Sequence, residues 1–140
     1  MPGARKNPLI IGIMTLVVAV FLCASPDAQS DEITTLNERI AELYRAGKYS
    51  EAISLAERSL TLTRARKGDE HLHTAARMGW LALLYEAQGR LTESEPLKKR
   101  ALSIYETNLP AGHPVIAHSL NNLATLYIWL RAVSLRLNSS

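Results

Sequence analysis

At 140 residues the chain has room for one modest domain, and its 16 Lys plus Arg stand close to its 13 Asp plus Glu; without Arg5, Lys6 and Asp27 of the N-terminal segment the balance is 14 to 12. Interspersed charges of both signs form solvated helix faces rather than a basic footprint, which takes nucleic acid off the list of expected partners. The single cysteine, Cys23, excludes an intramolecular disulfide and a multi-cysteine metal site.

The first predicted element is apolar. Arg5 and Lys6 precede an uncharged run over residues 9–24, and as a helix that run would reach about 24 Å, short of the roughly 30 Å hydrocarbon core of a bilayer. The layout is that of a secretory signal peptide over residues 1–28, which implies an exported protein, periplasmic or secreted. Ala28 offers a small residue at the cut, but Pro26 fits the cleavage pattern poorly. The alternative is an uncleaved segment, with residues 9–24 holding the protein to the membrane. Leu22 stands where a lipid-modified cysteine needs a small neighbour, so Cys23 reads as an ordinary residue of the apolar run. Residues 29–32 read as a disordered polar spacer.

Helical periodicity begins at Ile33 and continues through Leu36, Ile40, Leu43 and Tyr44. Gly47 ends this helix, Ser50 is a good N-cap for the next, and that second helix runs to Lys67 before Gly68. The pattern then returns. Met78, Leu81, Ala82, Leu84 and Tyr85 make a second apolar stripe, Gly89 a second turn, and Thr92-Glu93-Ser94-Glu95 matches a capping box. After Pro110-Ala111-Gly112-His113-Pro114 a third such helix follows over residues 115–127. In all three first helices a small residue, Ala41, Ala82 or Ala124, sits three before a tyrosine. A short side chain there lets helices approach while the aromatic one turn on fills the widening gap.

Leu81-Ala82-x-x-Tyr85-x-x-x-Gly89-Arg90, Glu93-Ser94-Glu95-Pro96-Leu97, His113-Pro114 and Leu120-Asn121-Asn122-Leu123-Ala124-x-Leu126-Tyr127 resemble tetratricopeptide repeats, in particular the kinesin-light-chain-like variety with a period of about 42 residues. The resemblance covers residues 33–127. It departs from the pattern at Gly79-Trp80, which replaces the Asn-Asn seen at Asn121-Asn122, at Lys98, where an aromatic is usual, and in the turn between the two helices of the first repeat, which reads as one residue shorter. It implies an all-α class, an α-α superhelix of about two and a half helix-turn-helix repeats over residues 33–67, 68–110 and, in part, 111–127, preceded by the apolar signal segment.

The resemblance also implies a concave groove, lined by the first helix of each repeat, that binds peptide or protein segments. Carried over by repeat register, its positions are Thr35, Glu38, Glu42 and Arg45, then Ala76, Gly79, Leu83 and Glu86, then His118, Asn121 and Thr125. Asn121 stands out because its amide can both donate to and accept from a peptide backbone. Past Tyr127 no turn glycine comes, and residues 128–140 read as a diverged apolar tail. Either that tail docks on the unfinished third repeat or a partner, or it is a chain end unrelated to the repeat. It also makes self-association an expectation.

No enzyme signature emerges. His71 and His113 hold equivalent boundary positions, which favours a capping role, and His71 with His73 is too sparse for a metal site. Glu93 and Glu95 are accounted for by the capping box. The scattered glycines form no phosphate-cradling loop, so no cofactor is expected. The function expected is therefore a non-catalytic protein-interaction module of unknown partner; the alternatives are a membrane-tethered assembly factor or a truncated remnant of a longer repeat protein.

Overall fold

The computed structural model describes residues 26–139. Five helices follow one another: α1 (Pro26–Arg45), α2 (Tyr49–Lys67), α3 (Leu72–Ala87), α4 (Leu91–Asn108) and α5 (Pro114–Asn138). Each packs against the next in sequence, so contacts are local and the stack grows in one direction. Apart from its last three positions, the signal segment expected over residues 1–28 lies outside the described residues, as does Cys23.

Glycine geometry sets the two tight turns. Gly47 and Gly89 adopt φ of 72° and 74°, and each closes with the same pair of bonds. Lys48 N–H donates to Leu43 O at 2.9 Å and Gly47 N–H to Tyr44 O at 3.1 Å; Arg90 N–H donates to Tyr85 O at 2.8 Å and Gly89 N–H to Glu86 O at 2.9 Å. This is the Schellman arrangement, which needs a left-handed residue that glycine supplies without steric cost. His71 and His113 cap α3 and α5, their side chains accepting from His73 N–H at 3.1 Å and Val115 N–H at 3.2 Å. The capping role expected of the two histidines is what the structure shows.

The core lies between the helices and uses the apolar stripes of all but the last. Met78, Leu84 and Ile104 are 0–1% exposed and share one cluster with Ile40, Leu43, Ile53 and Leu60. Burying a side chain of that size contributes about 1.5–3 kcal/mol. The small positions early and midway in α2 and α4, Ala52 with Ser94 and Ser59 with Ala101, are at most 4% exposed, as close helix approach demands.

Several expectations are corrected. Helix α1 starts at Pro26, so residues 29–32 are helix rather than disordered spacer; Asp27 in its first turn suits the positive end of the helix dipole. Helix α2 begins at Tyr49 with Lys48 as N-cap, which puts Ser50 inside the helix, where its hydroxyl accepts from Gln88 Nε2 at 2.7 Å. The capping box at Thr92 does not form: α4 begins at Leu91 after Arg90, and Pro96 falls in its second turn. Glu93 instead takes Arg90 Nε at 2.6 Å, and Glu95 pairs with Lys99 at 2.7 Å. Finally, Arg131 occupies the position of Gly47 and Gly89, so nothing supplies a left-handed residue and α5 runs on to Asn138.

The turn hydrogen bonds also reset the register of the first repeat. They superpose Gly47 on Gly89 and therefore Leu43, not Tyr44, on Tyr85. Ile40 then corresponds to Ala82, while Arg39 and Glu42 correspond to Leu81 and Leu84. Those two leucines are buried in the cluster that holds Ala56 and Leu60 of α2. No described helix covers the same face of α1, and there Arg39 and Glu42 are exposed and paired at 2.8 Å.

Candidate binding groove

On the face formed by the first helices, α3, α4 and α5 enclose an open hollow of about 450 Å³. Helix α3 contributes Ala76, Gly79, Trp80, Leu83 and Glu86; α4 contributes Lys98, Ala101 and Tyr105; α5 contributes Val115, His118, Ser119 and Asn122. An adjoining hollow of about the same volume shares Glu86, Lys98 and Asn122 and is bounded further out by Thr125, Trp129 and Val133. The three shared residues form a ridge between the two. Lys98 Nζ reaches Glu86 Oε1 at 2.5 Å and Asn122 O at 3.3 Å, tying α4 to both of its neighbours. Glu86 Oε1 also accepts from Ser94 Oγ at 3.0 Å. With side chains only 14% and 22% exposed, Lys98 and Glu86 offset each other's charge between the two hollows.

One repeat earlier the corresponding hollow is almost filled. Asn37, Ile40, Ala56, Ser59, Arg77 and Trp80 leave about 70 Å³ there. These are the counterparts of Gly79, Ala82, Lys98, Ala101, Ser119 and Asn122. Trp80 lies over this first junction, edge-on to Tyr44 with ring centroids 6.3 Å apart. Ser59 Oγ donates to Asn37 Oδ1 at 2.9 Å and closes its floor. Although Trp80 is 39% exposed, one side of its ring plugs the first niche while another borders the second.

Of the groove positions read from sequence, the structure brings Ala76, Gly79, Leu83, Glu86 and His118 together in the open hollow. Thr125 lines the adjoining one. Asn121 is exposed beside the groove, outside the lining of either hollow, and its neighbour Asn122 points in. Thr35, Glu38, Glu42 and Arg45 are exposed but one residue out of register; Thr34, Asn37, Ala41 and Tyr44 are the counterparts of Ala76, Gly79, Leu83 and Glu86. Sequence reasoning missed Trp80 as a plug and Lys98 as a tie, although both had already stood out as departures from the repeat pattern. Tyr105 gave no such signal.

The hollow combines apolar area with hydrogen-bonding groups. Leu83, 37% exposed, and Trp80 offer apolar area, and Asn122, His118 and the Tyr105 phenol offer hydrogen bonds. Burial pushes the Tyr105 phenol above its ordinary range, partly offset by the nearby Arg77 guanidinium, so the hydroxyl keeps its proton at neutral pH. Burial lowers Arg77 in turn. Among the described residues no group of three or more His, Cys, Asp and Glu is placed to hold a metal ion. Likewise, no described helix is long and apolar enough to cross a membrane.

The sequence matches the tetratricopeptide repeat family over residues 31–107 and 76–130. Among its relatives, Protein KINESIN LIGHT CHAIN-RELATED 1 of Arabidopsis thaliana is 31% identical over 102 residues, 71% of this chain. Protein KINESIN LIGHT CHAIN-RELATED 3 of the same organism is 27% identical over 112 residues, 79% of this chain. The chain spans 17% of the length of each. Among solved structures, the nearly identical TPR-like repeats of a Podosopora anserina kinesin light chain share the fold, with a TM-score of 0.65 and 24% identity over 73% of this chain and 48% of that one.

Proposed function

Because the chain belongs to the tetratricopeptide repeat family, and the repeat fold is that of a protein-interaction module, we propose that it acts without catalysis by seating a peptide segment in the groove between α3 and α5. The observation that carries this reading is the open hollow at the second junction, set against the plugged one at the first. A hollow of that size fits one or two apolar side chains against Leu83 and Trp80. Asn122 and Tyr105 are placed to bond the backbone beside them. The neutral Lys98–Glu86 pair gives no strong preference for the charge of the ligand.

Peptides selected on the full chain from a random library, then measured by calorimetry, test the reading. Asn122→Trp, which places the plug of the first junction in the second, is expected to weaken binding at least about tenfold. Undiminished affinity would move the site elsewhere. Export belongs to the same proposal and rests on the uncharged run after Arg5 and Lys6. N-terminal sequencing of the natural product tests it: a start near Gln29 supports export, and an intact N-terminus supports the membrane-tethered alternative.

A further inference from the structure

Within each repeat the first helix lays four residues against the second. On α3 they are Ala75, Met78, Ala82 and Tyr85, the first three 0–1% exposed. Counting equally outward from the Gly89 turn sets them opposite Ile104, Ala101, Leu97 and Ser94, so each large side chain meets a smaller one. The matching residues of α5 are Ala117, Leu120, Ala124 and Tyr127. No described helix covers that seam: Ala117 and Ala124 are exposed, Leu120 is 48% exposed and Tyr127 42%. The Tyr127 hydroxyl is bonded to Glu95 of α4 at 3.0 Å, as that of Tyr85 is to Glu57 of α2, which leaves its outer edge open.

Helix α4 shows what such a seam takes: an antiparallel helix that presents small, large, small and large side chains at Ser94, Leu97, Ala101 and Ile104, spaced by three, four and three residues. Helix α5 itself carries the same series at the same spacing, as Ala117, Leu120, Ala124 and Tyr127. We propose that two copies of the chain pair through α5 about a two-fold axis, each α5 taking beside the other the place that α4 takes beside α3. Ala117 then faces Tyr127 of the second copy and Leu120 faces its Ala124, each contact occurring twice. Self-complementarity of this kind is what an isologous interface requires.

Charge agrees with this arrangement. Helix α5 contains no Asp or Glu, so no carboxylates oppose one another. Arg131, the next residue along the seam, falls opposite the α4–α5 turn of the second copy, where the last turn of α4 carries Glu106 and no basic residue. A cation suits that negative helix end. The seam lies on a different face of α5 from the groove residues His118 and Asn122, so the pairing does not depend on the peptide-binding reading. Four positions per helix make a small interface, and association at roughly micromolar concentration is expected.

Sedimentation equilibrium of the full chain from about 1 to 100 µM tests the proposal. The mass should rise from 15.5 kDa towards twice that value. Ala124→Leu places two leucines face to face and should weaken association about tenfold; Leu120→Ala combined with Ala124→Leu exchanges large for small on both sides and should restore it. Both positions are exposed in the single chain, so circular dichroism should show the same helix content in every variant. A mass of one chain at all concentrations overturns the proposal. So does association unaffected by Ala124→Leu, as the N-terminal apolar run or residues 128–138 would give, or an exchange that fails to restore it.

Discussion

The α1–α2–α3 and α3–α4–α5 junctions are built from the same positions one period apart, and all six residues that line the first niche differ from their counterparts in the second. At the first junction Trp80 lies by Ala56; at the second their counterparts are Asn122 and Lys98. An indole over a methyl group fills the niche with apolar area, whereas an amide beside an ammonium leaves polar groups that must be satisfied and space around them. Lys98 meets that demand by reaching Glu86 and the Asn122 carbonyl. The same fold thus yields a nearly filled joint and an open one, and the difference between them lies in the side chains that line them.

The largest expected effect tests whether the joints also differ in strength. Leu84 and Leu126 are equivalent, 0% and 1% exposed, but Leu84 sits between covered helices and Leu126 is the single buried residue among those described in α5. Leu84→Ala should cost about 2–5 kcal/mol in urea unfolding. Leu126→Ala should instead release α5, with loss of hydrogen-exchange protection confined to residues 114–138. Equal global destabilisation by both would show the joints to be equivalent.

Exchanging the plug comes next. Trp80→Asn gives the first junction the residue of the second and should cost about 2 kcal/mol, through lost apolar burial and the lost edge contact with Tyr44; thermal unfolding measures it. A stability unchanged by Trp80→Asn would mean that the indole fills the niche without holding it. Smaller still is Lys98→Met, which leaves Glu86 without its cation. The pair retains some contact with solvent, so a loss of about 1–2 kcal/mol is expected rather than the cost of a fully buried pair.

The smallest effect is one of pH. Hydrogen bonds from Lys99 and then Tyr127 hold the Glu95 carboxyl below its usual range. Since the folded value lies below the unfolded one, the stabilisation is complete above the ordinary carboxylate value of 4.5 and is lost as pH falls through the folded value. Docking of α5 should therefore weaken below about pH 4.5, and Glu95→Gln should flatten that dependence. An unchanged acid profile in Glu95→Gln would show that another carboxylate governs it.

Most of the fold was legible in the sequence because its signals are short-ranged. Gly47 and Gly89 mark turns through a backbone conformation open mainly to glycine, and His71 and His113 mark helix starts through side chains that bond two residues on. The groove was legible only where the register was secure. Matching Tyr44 to Tyr85 by residue type displaced the first-repeat positions by one, because a tyrosine on a helix carries no mark of the face it will occupy. A one-residue shift rotates a side chain by about 100°, enough to turn Glu42 from a groove position onto the exposed face where it pairs with Arg39.

By itself the sequence determined the period, the helix class, the turns at Gly47 and Gly89 and the caps at His71 and His113, since each depends on residues within one or two turns of helix. Only the tertiary structure decided which faces are covered: that Trp80 plugs one niche while Asn122 leaves the next open, that Arg39 and Glu42 lie on a face that no described helix covers, and that no described helix covers Ala117, Leu120, Ala124 and Tyr127 of α5. Coverage is a property of the neighbouring helix, and a helix of the same pattern is core, groove or seam according to what lies against it.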